Sequence, residues 1–217
     1  MIKVEVIDRF ALPDGQGEMT LSRRGKELAI RVRGVELMNS RNHISEDELG
    51  RYAARLVAGK PTARVLIGGL GLGYTLRAVL NAVPTSVMID IVEIFPTVVR
   101  WNREHTGALA GNPLDDPRVT LIEDDVGHVI ARSTGVYDAI VLDVDNGPDA
   151  VFEANAKLYK QQGLLAQKRA LAPGGGLAVW SAFESQTFTQ WLRDVGFTAE
   201  CYTVKAYGAR HYIWLAR

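Results

Sequence analysis

The sequence predicts an α/β fold on a parallel sheet covered on both faces. Three observations carry the prediction. From residue 63 onward, strand-like apolar runs alternate with helical patterns. Those runs are rich in Val, Ile and Leu and show little polar alternation, as expected of strands buried on both faces. One of them, Val65-Leu66-Ile67, leads straight into the glycine-rich turn Gly68–Gly73.

The first 38 residues read differently, as a small β-meander. Ile2, Val4 and Val6 alternate with polar residues, as do Leu28, Ile30 and Val32, and Met19 and Leu21 start a strand between them. Pro13-Asp14-Gly15 and Arg24-Gly25-Lys26 supply turns, and Gly34 marks one more. Ser45-Glu46-Asp47-Glu48 has the form of a capping box, followed by a helical face of Leu49, Tyr52, Ala53, Leu56 and Val57. Gly59 and Pro61 stop that helix.

Five strands are then expected near 63–68, 87–93, 118–123, 137–143 and 176–181. Helices are expected near 73–82, 96–105, 126–132, 155–171 and 185–195. Pro96 suits the first turn of its helix, and Pro173-Gly174-Gly175-Gly176 reads as a helix-to-strand turn. Phe197–Lys205 and Arg210–Ala216 flank Tyr207-Gly208-Ala209 and predict a closing antiparallel hairpin. A meander domain over 1–40 and an α/β domain over 41–217 is the expected division.

Composition narrows the function. Lys plus Arg and Asp plus Glu are 25 each, so no net field gathers nucleic acid. Cys201 is the only cysteine, which excludes an internal disulfide and fits a reducing cytoplasm. The N-terminal pattern is not that of a signal peptide, and no apolar run reaches the ~18 residues of a membrane span. A cytoplasmic protein without membrane or nucleic-acid partners is expected. The open edges of the meander suit a homodimer contact.

The glycines point to a nucleoside. Gly69, Gly71 and Gly73 are spaced Gly-x-Gly-x-Gly. A dinucleotide fingerprint needs a small residue where Tyr74 stands, and a phosphate loop needs a Lys-Ser/Thr pair that is missing. Glu93, twenty residues after Gly73, ends the next strand, where α/β sheets place ribose-binding acids. Capping of the helix begun by Pro96 is its alternative role. Asp124-Asp125 can accept from an adenine amino group or cap the next helix. Asp143, Asp145 and Asn146 cluster after the fourth strand, where acids bind an amine or act as a base, unless they only shape the turn before Gly147-Pro148. His105, His128 and His211 show no metal-site spacing, and no metal is expected.

From about residue 60 the chain resembles the class I S-adenosylmethionine-dependent methyltransferase fold, and more narrowly the spermidine synthase-like (polyamine aminopropyltransferase-like) group. The residues that carry this are Ile67–Gly73 with Thr75-Leu76-Arg77, Val92-Glu93-Ile94, Asp115–Val119, Asp124-Asp125, Tyr137–Asp143, Gly147-Pro148 and Arg169–Gly175. The meander matches the small N-terminal domain of that group. The resemblance implies a Rossmann-like, doubly wound seven-stranded sheet of order 3-2-1-4-5-7-6. It also implies S-adenosylmethionine, or its decarboxylated form, as donor. Gly69, Gly71, Gly73, Glu93, Asp124, Asp125, Val126 and Asp143 are then the donor-binding candidates. Asp143, Asp145 and Asn146 are the catalytic ones.

The chain departs from the group in three places. An acid of the glycine loop is replaced by Leu72, the second Asp of the strand-four loop by Asn146, and the Tyr-His-Glu signature by Met38–His43. Fewer acids weaken polyamine binding and no longer exclude the donor's α-carboxylate. The expectation is therefore methyl transfer from S-adenosylmethionine to a small acceptor. Aminopropyl transfer is the alternative, and a non-catalytic nucleoside-binding homologue the second alternative.

Overall fold

The computed structural model describes residues 3–13, 15, 17–149 and 153–217. Strands β1 (Val4–Ala11), β2 (Glu18–Arg24), β3 (Glu27–Val32) and β4 (Val35–Asn39) form an antiparallel sheet in sequential order. The meander is thus as expected, with β4 added after Gly34. Asp14 of the expected first turn lies outside the described residues.

Helix α1 (Ile44–Leu56) leads into the main sheet. The following elements are β5 (Arg64–Gly68), α2 (Tyr74–Ala82), β6 (Met88–Glu93), α3 (Pro96–Trp101), β7 (Val119–Glu123), α4 (Val126–Ala131) and β8 (Tyr137–Leu142). Then come α5 (Glu153–Tyr159), α6 (Gln161–Ala170), β9 (Leu171–Ser181), α7 (Gln186–Asp194), β10 (Ala199–Ala206) and β11 (Ala209–Ala216). The sheet order is β10-β11-β9-β8-β5-β6-β7. Counted within this sheet, that is the predicted 3-2-1-4-5-7-6. Parallel pairs run from β7 to β9, and the β10–β11 hairpin closes the edge antiparallel.

The two sheets share one core. Leu21 and Ile30 of the meander belong to the same buried cluster as Leu49, Leu70, Ile91 and Trp101. Trp101 is fully buried, and its indole N–H donates to Asp8 Oδ2 at 2.6 Å, which ties β1 to α3. The second cluster fills the other face of the main sheet around Tyr159, Phe188 and Trp214.

Four local expectations are corrected. The capping box does not form: His43 is the N-cap of α1, with no side-chain cap. Ser45 is instead 2% exposed and turns its hydroxyl onto Glu46, while Glu48 pairs with Arg51. The helix expected over 96–105 passes at Asn102 into a π-helical turn. The helix expected over 155–171 breaks at Lys160, whose backbone is extended at φ −82° and ψ 166°, and α6 then packs so that a Cβ at Gly163 would stand 2.3 Å from the Lys157 carbonyl oxygen. Finally, Pro173–Gly175 is a register irregularity inside β9 rather than a turn before it.

Candidate functional site

The glycine loop between β5 and α2 is shaped by close approach. Gly69 has φ +92°, and a Cβ there would stand 2.2 Å from the carbonyl oxygen of Asp143. Gly71 has φ +51°, and its Cβ would meet the thioether of Met38 at 2.8 Å. Only glycine takes both the backbone angles and the space. The loop is held from three sides. Gly69 N–H donates to the Val92 carbonyl at 2.9 Å, Asn102 Nδ2 donates to the Gly71 carbonyl at 2.7 Å, and Leu70 N–H donates to Glu93 Oε2 at 3.0 Å.

Glu93 is 7% exposed and also accepts the Phe95 N–H at 2.9 Å. Burial raises its pKa, and the backbone amides of Phe95 and Leu70 pull it back down. It does not cap α3, whose N-cap is Phe95 without a side-chain cap. It steadies the entry to α3 and the glycine loop, and it lines a cavity.

That cavity, about 710 Å³ with its open mouth, lies over the carboxyl ends of β5, β6 and β8, under the meander. Met19, Ile30 and Met38 form the roof, and Val92, Phe95 and Val126 form apolar walls. Gly69, Gly71, Glu93, Asp125, Val126, Asp143 and Asp145 all border it. Asp125 is at once the N-cap of α4, accepting Gly127 N–H at 2.7 Å, and a cavity residue.

Three candidates line neither this cavity nor its neighbour. Gly73 is the left-handed N-cap of α2, set against Asn102 and Pro113. Asp124 accepts from Arg132 at 2.6 Å and lies close to His128. The Asn146 carbonyl accepts the Ser181 hydroxyl at 3.2 Å.

A second cavity, about 770 Å³ with its open mouth, adjoins the first and shares Leu37, Met38, Gly71, Asp143 and Asp145 with it. Beyond that shared border its walls include Glu46, Leu72, Tyr74, Trp180 and His211. Burial pushes the Asp143 carboxyl up to about 6, against a hydrogen bond from Thr75 that lowers it. Burial, and then the charge of Asp143, pushes Glu46 up to about 7. Burial lowers His211. Among the described residues, Asn42 Oδ1, Trp180 Nε1 and His211 Nδ1 are buried polar atoms without a hydrogen-bond partner, and all three residues border this cavity.

Sequence reasoning missed Glu46, Trp180 and His211. Glu46 was hidden by the capping-box pattern. Trp180 and His211 stand on β9 and β11, thirty-one residues apart in sequence and 5.2 Å between ring centroids. Arg41 is a surface charge beside Glu27. No three His, Cys, Asp or Glu side chains among the described residues converge to hold a metal ion.

Fold and paired cavities define a class I methyltransferase-like α/β protein with a meander roof. Residues 55–212 match the spermine/spermidine synthase domain. The chain belongs to that family. It is 34% identical over 157 residues to polyamine aminopropyltransferase 2 of Streptomyces coelicolor, covering 68% of this chain and 28% of the relative. It is 42% identical over 113 residues to putrescine N-methyltransferase 4 of Nicotiana tabacum, covering 52% of this chain and 28% of the relative. The chain thus spans less than a third of the length of these relatives. The fold is that of a spermidine synthase crystallised with the transition-state analogue AdoDATO. That match has a TM-score of 0.76 at 17% identity and covers 97% of this chain and 72% of that one.

Proposed function

We propose that the chain is a transferase that moves an aminopropyl group from decarboxylated S-adenosylmethionine to a primary amine of the polyamine class. The observation that carries this is the acid lining of the second cavity. Asp143 and Asp145 stand on the border between the cavities, and Glu46 stands beyond them. Three carboxyl groups there suit an ammonium tail and oppose an α-carboxylate. Leu72 and Asn146 remove acids at two positions, and that loss favours methyl transfer when the sequence is read alone. Glu46 returns an acid to the same cavity from a different element, and the balance moves to the aminopropyl reaction.

In this reading the adenosyl part of the donor lies in the first cavity. Glu93 receives the ribose hydroxyls, Asp125 and Val126 meet the adenine, and Gly69 and Gly71 let the donor approach the backbone. Asp124 and Gly73 act behind them, on the ends of α4 and α2, and Asn146 shapes the Asp145 turn. Residues 1–40 serve as the roof domain. The sulfonium then falls at the Asp143 border, with the amine held opposite it. Transfer is an in-line displacement, so holding the two reactants in line provides much of the acceleration.

Methyl transfer from S-adenosylmethionine is the second reading. It is favoured by the likeness to a putrescine N-methyltransferase and by Leu72, whose apolar side chain borders the second cavity. Calorimetry with each donor separates the two. Aminopropyl transfer predicts at least tenfold tighter binding of decarboxylated S-adenosylmethionine. Equal or tighter binding of the carboxylated donor reverses the assignment.

A further inference from the structure

Helix α1 places Glu46 on the wall of the second cavity, beyond its Asp143–Asp145 border. Ser45, buried at 2% exposure, donates its hydroxyl to Glu46 Oε2 at 2.6 Å and fixes the carboxyl on the cavity side. Among the described residues, no Lys or Arg pairs with Glu46. The next acid on the helix, Asp47, is taken by Arg77 and His43. Asp143 and Asp145 face Glu46 from the end of β8, Tyr74 from α2 and His211 from β11. Among the described residues, no Lys or Arg lines this cavity.

We infer that Glu46 receives the ammonium group of the acceptor and takes the proton that this group must lose before it attacks. This rests on the transferase reading above and adds the residue that the two lost acids leave unassigned. A primary alkylammonium has three N–H donors. Glu46, the Asp143–Asp145 border and the buried Asn42 Oδ1 offer acceptors for all three. An alkylammonium gives up its proton in water only near pH ~10. A carboxylate held in a desolvated pocket is a better base than one in water, and general bases of this kind contribute roughly 10²–10⁴ in rate.

The step balances. One N–H bond breaks and its proton passes to the Glu46 carboxylate. The freed lone pair forms the N–C bond, and the C–S bond breaks with its electrons going to sulfur. A neutral thioether and a secondary ammonium product result. Glu46 afterwards returns its proton to water as the product leaves.

Two measurements on the full chain test the role, with putrescine as probe. In calorimetry at pH 6.5, repeated in buffers of different ionisation enthalpy, putrescine binding to the wild type should exchange a fraction of a proton with the buffer. Glu46→Gln should remove that exchange and weaken binding at least tenfold. With donor present, Glu46→Gln should lower kcat at least tenfold and abolish the rise of kcat/KM near pH 7, with Glu46→Asp restoring part of both. Unchanged proton exchange and a kcat within twofold of wild type overturn the inference. So does a wild type that does not bind putrescine at millimolar concentration. If the wild type binds putrescine through Glu46 yet transfers nothing from either donor, the transferase reading fails while the amine site stands.

Discussion

Replacing Glu46 by Gln should make the folded protein more stable at pH 8 and leave it nearly unchanged at pH 4.5. A carboxyl raised from 4.5 to about 7 binds its proton more tightly in the folded chain than in the unfolded one. The stability that this binding adds is complete below the unfolded value and is lost as pH rises through about 7. At about 1.4 kcal/mol per pKa unit, the whole raise corresponds to roughly 3 kcal/mol. Glu46 borders an open cavity, and solvent there screens part of the effect. About 1–2 kcal/mol is the expected gain of Glu46→Gln over wild type at pH 8. Urea unfolding of both proteins between pH 4.5 and 8 reads the difference directly. A gain that is constant across this range, or that shrinks as pH rises, refutes the claim that the carboxyl is held in an environment hostile to its charge.

Three further perturbations address the frame of the site. Asp8→Ala leaves the indole N–H of the fully buried Trp101 without its acceptor, which should cost about 1–3 kcal/mol in denaturant unfolding. Hydrogen bonding to that indole N–H holds the Asp8 carboxyl below its ordinary 3.8, so its contribution should fade only as pH falls below that value. Gly50→Ala would put a Cβ 2.4 Å from that of Ala78, where α1 crosses α2. Overpacking of about 1–3 kcal/mol should outweigh the gain in helix propensity and lower Tm. Glu93→Gln keeps one acceptor for the Leu70 and Phe95 amides but removes the charge. It should weaken binding of 5′-methylthioadenosine at least tenfold in calorimetry, with Tm changed by only a few degrees.

The legible parts of the chain were those where one residue type answers one local demand. Gly69 is glycine because a backbone carbonyl occupies the space of a side chain, and Gly71 is favoured as glycine by its left-handed φ of +51°. Their spacing, with Glu93 at the next strand end, marks the wall of the first cavity. The sheet order followed from the resemblance, and the hairpin from alternation around Gly208. What stayed hidden depends on contacts between distant segments. Helix α1 is capped at His43, two residues before the expected Ser45, and Glu46, read only as an interior position of a capping box, is a cavity acid. The break between α5 and α6 is an extended Lys160 that helical periodicity does not report, with Gly163 packed against the Lys157 and Leu158 carbonyls. Trp180 and His211 meet only because β11 inserts between β9 and β10. The second cavity is built from such meetings, so Leu72 and Asn146 alone did not report its acid lining.

The most direct test of the central claim is product analysis by mass spectrometry. The protein is incubated with putrescine and equal amounts of S-adenosylmethionine and its decarboxylated form. The acid-lined cavity predicts aminopropylated putrescine, that is spermidine, together with 5′-methylthioadenosine. N-methylputrescine with S-adenosylhomocysteine, and no spermidine, would contradict it.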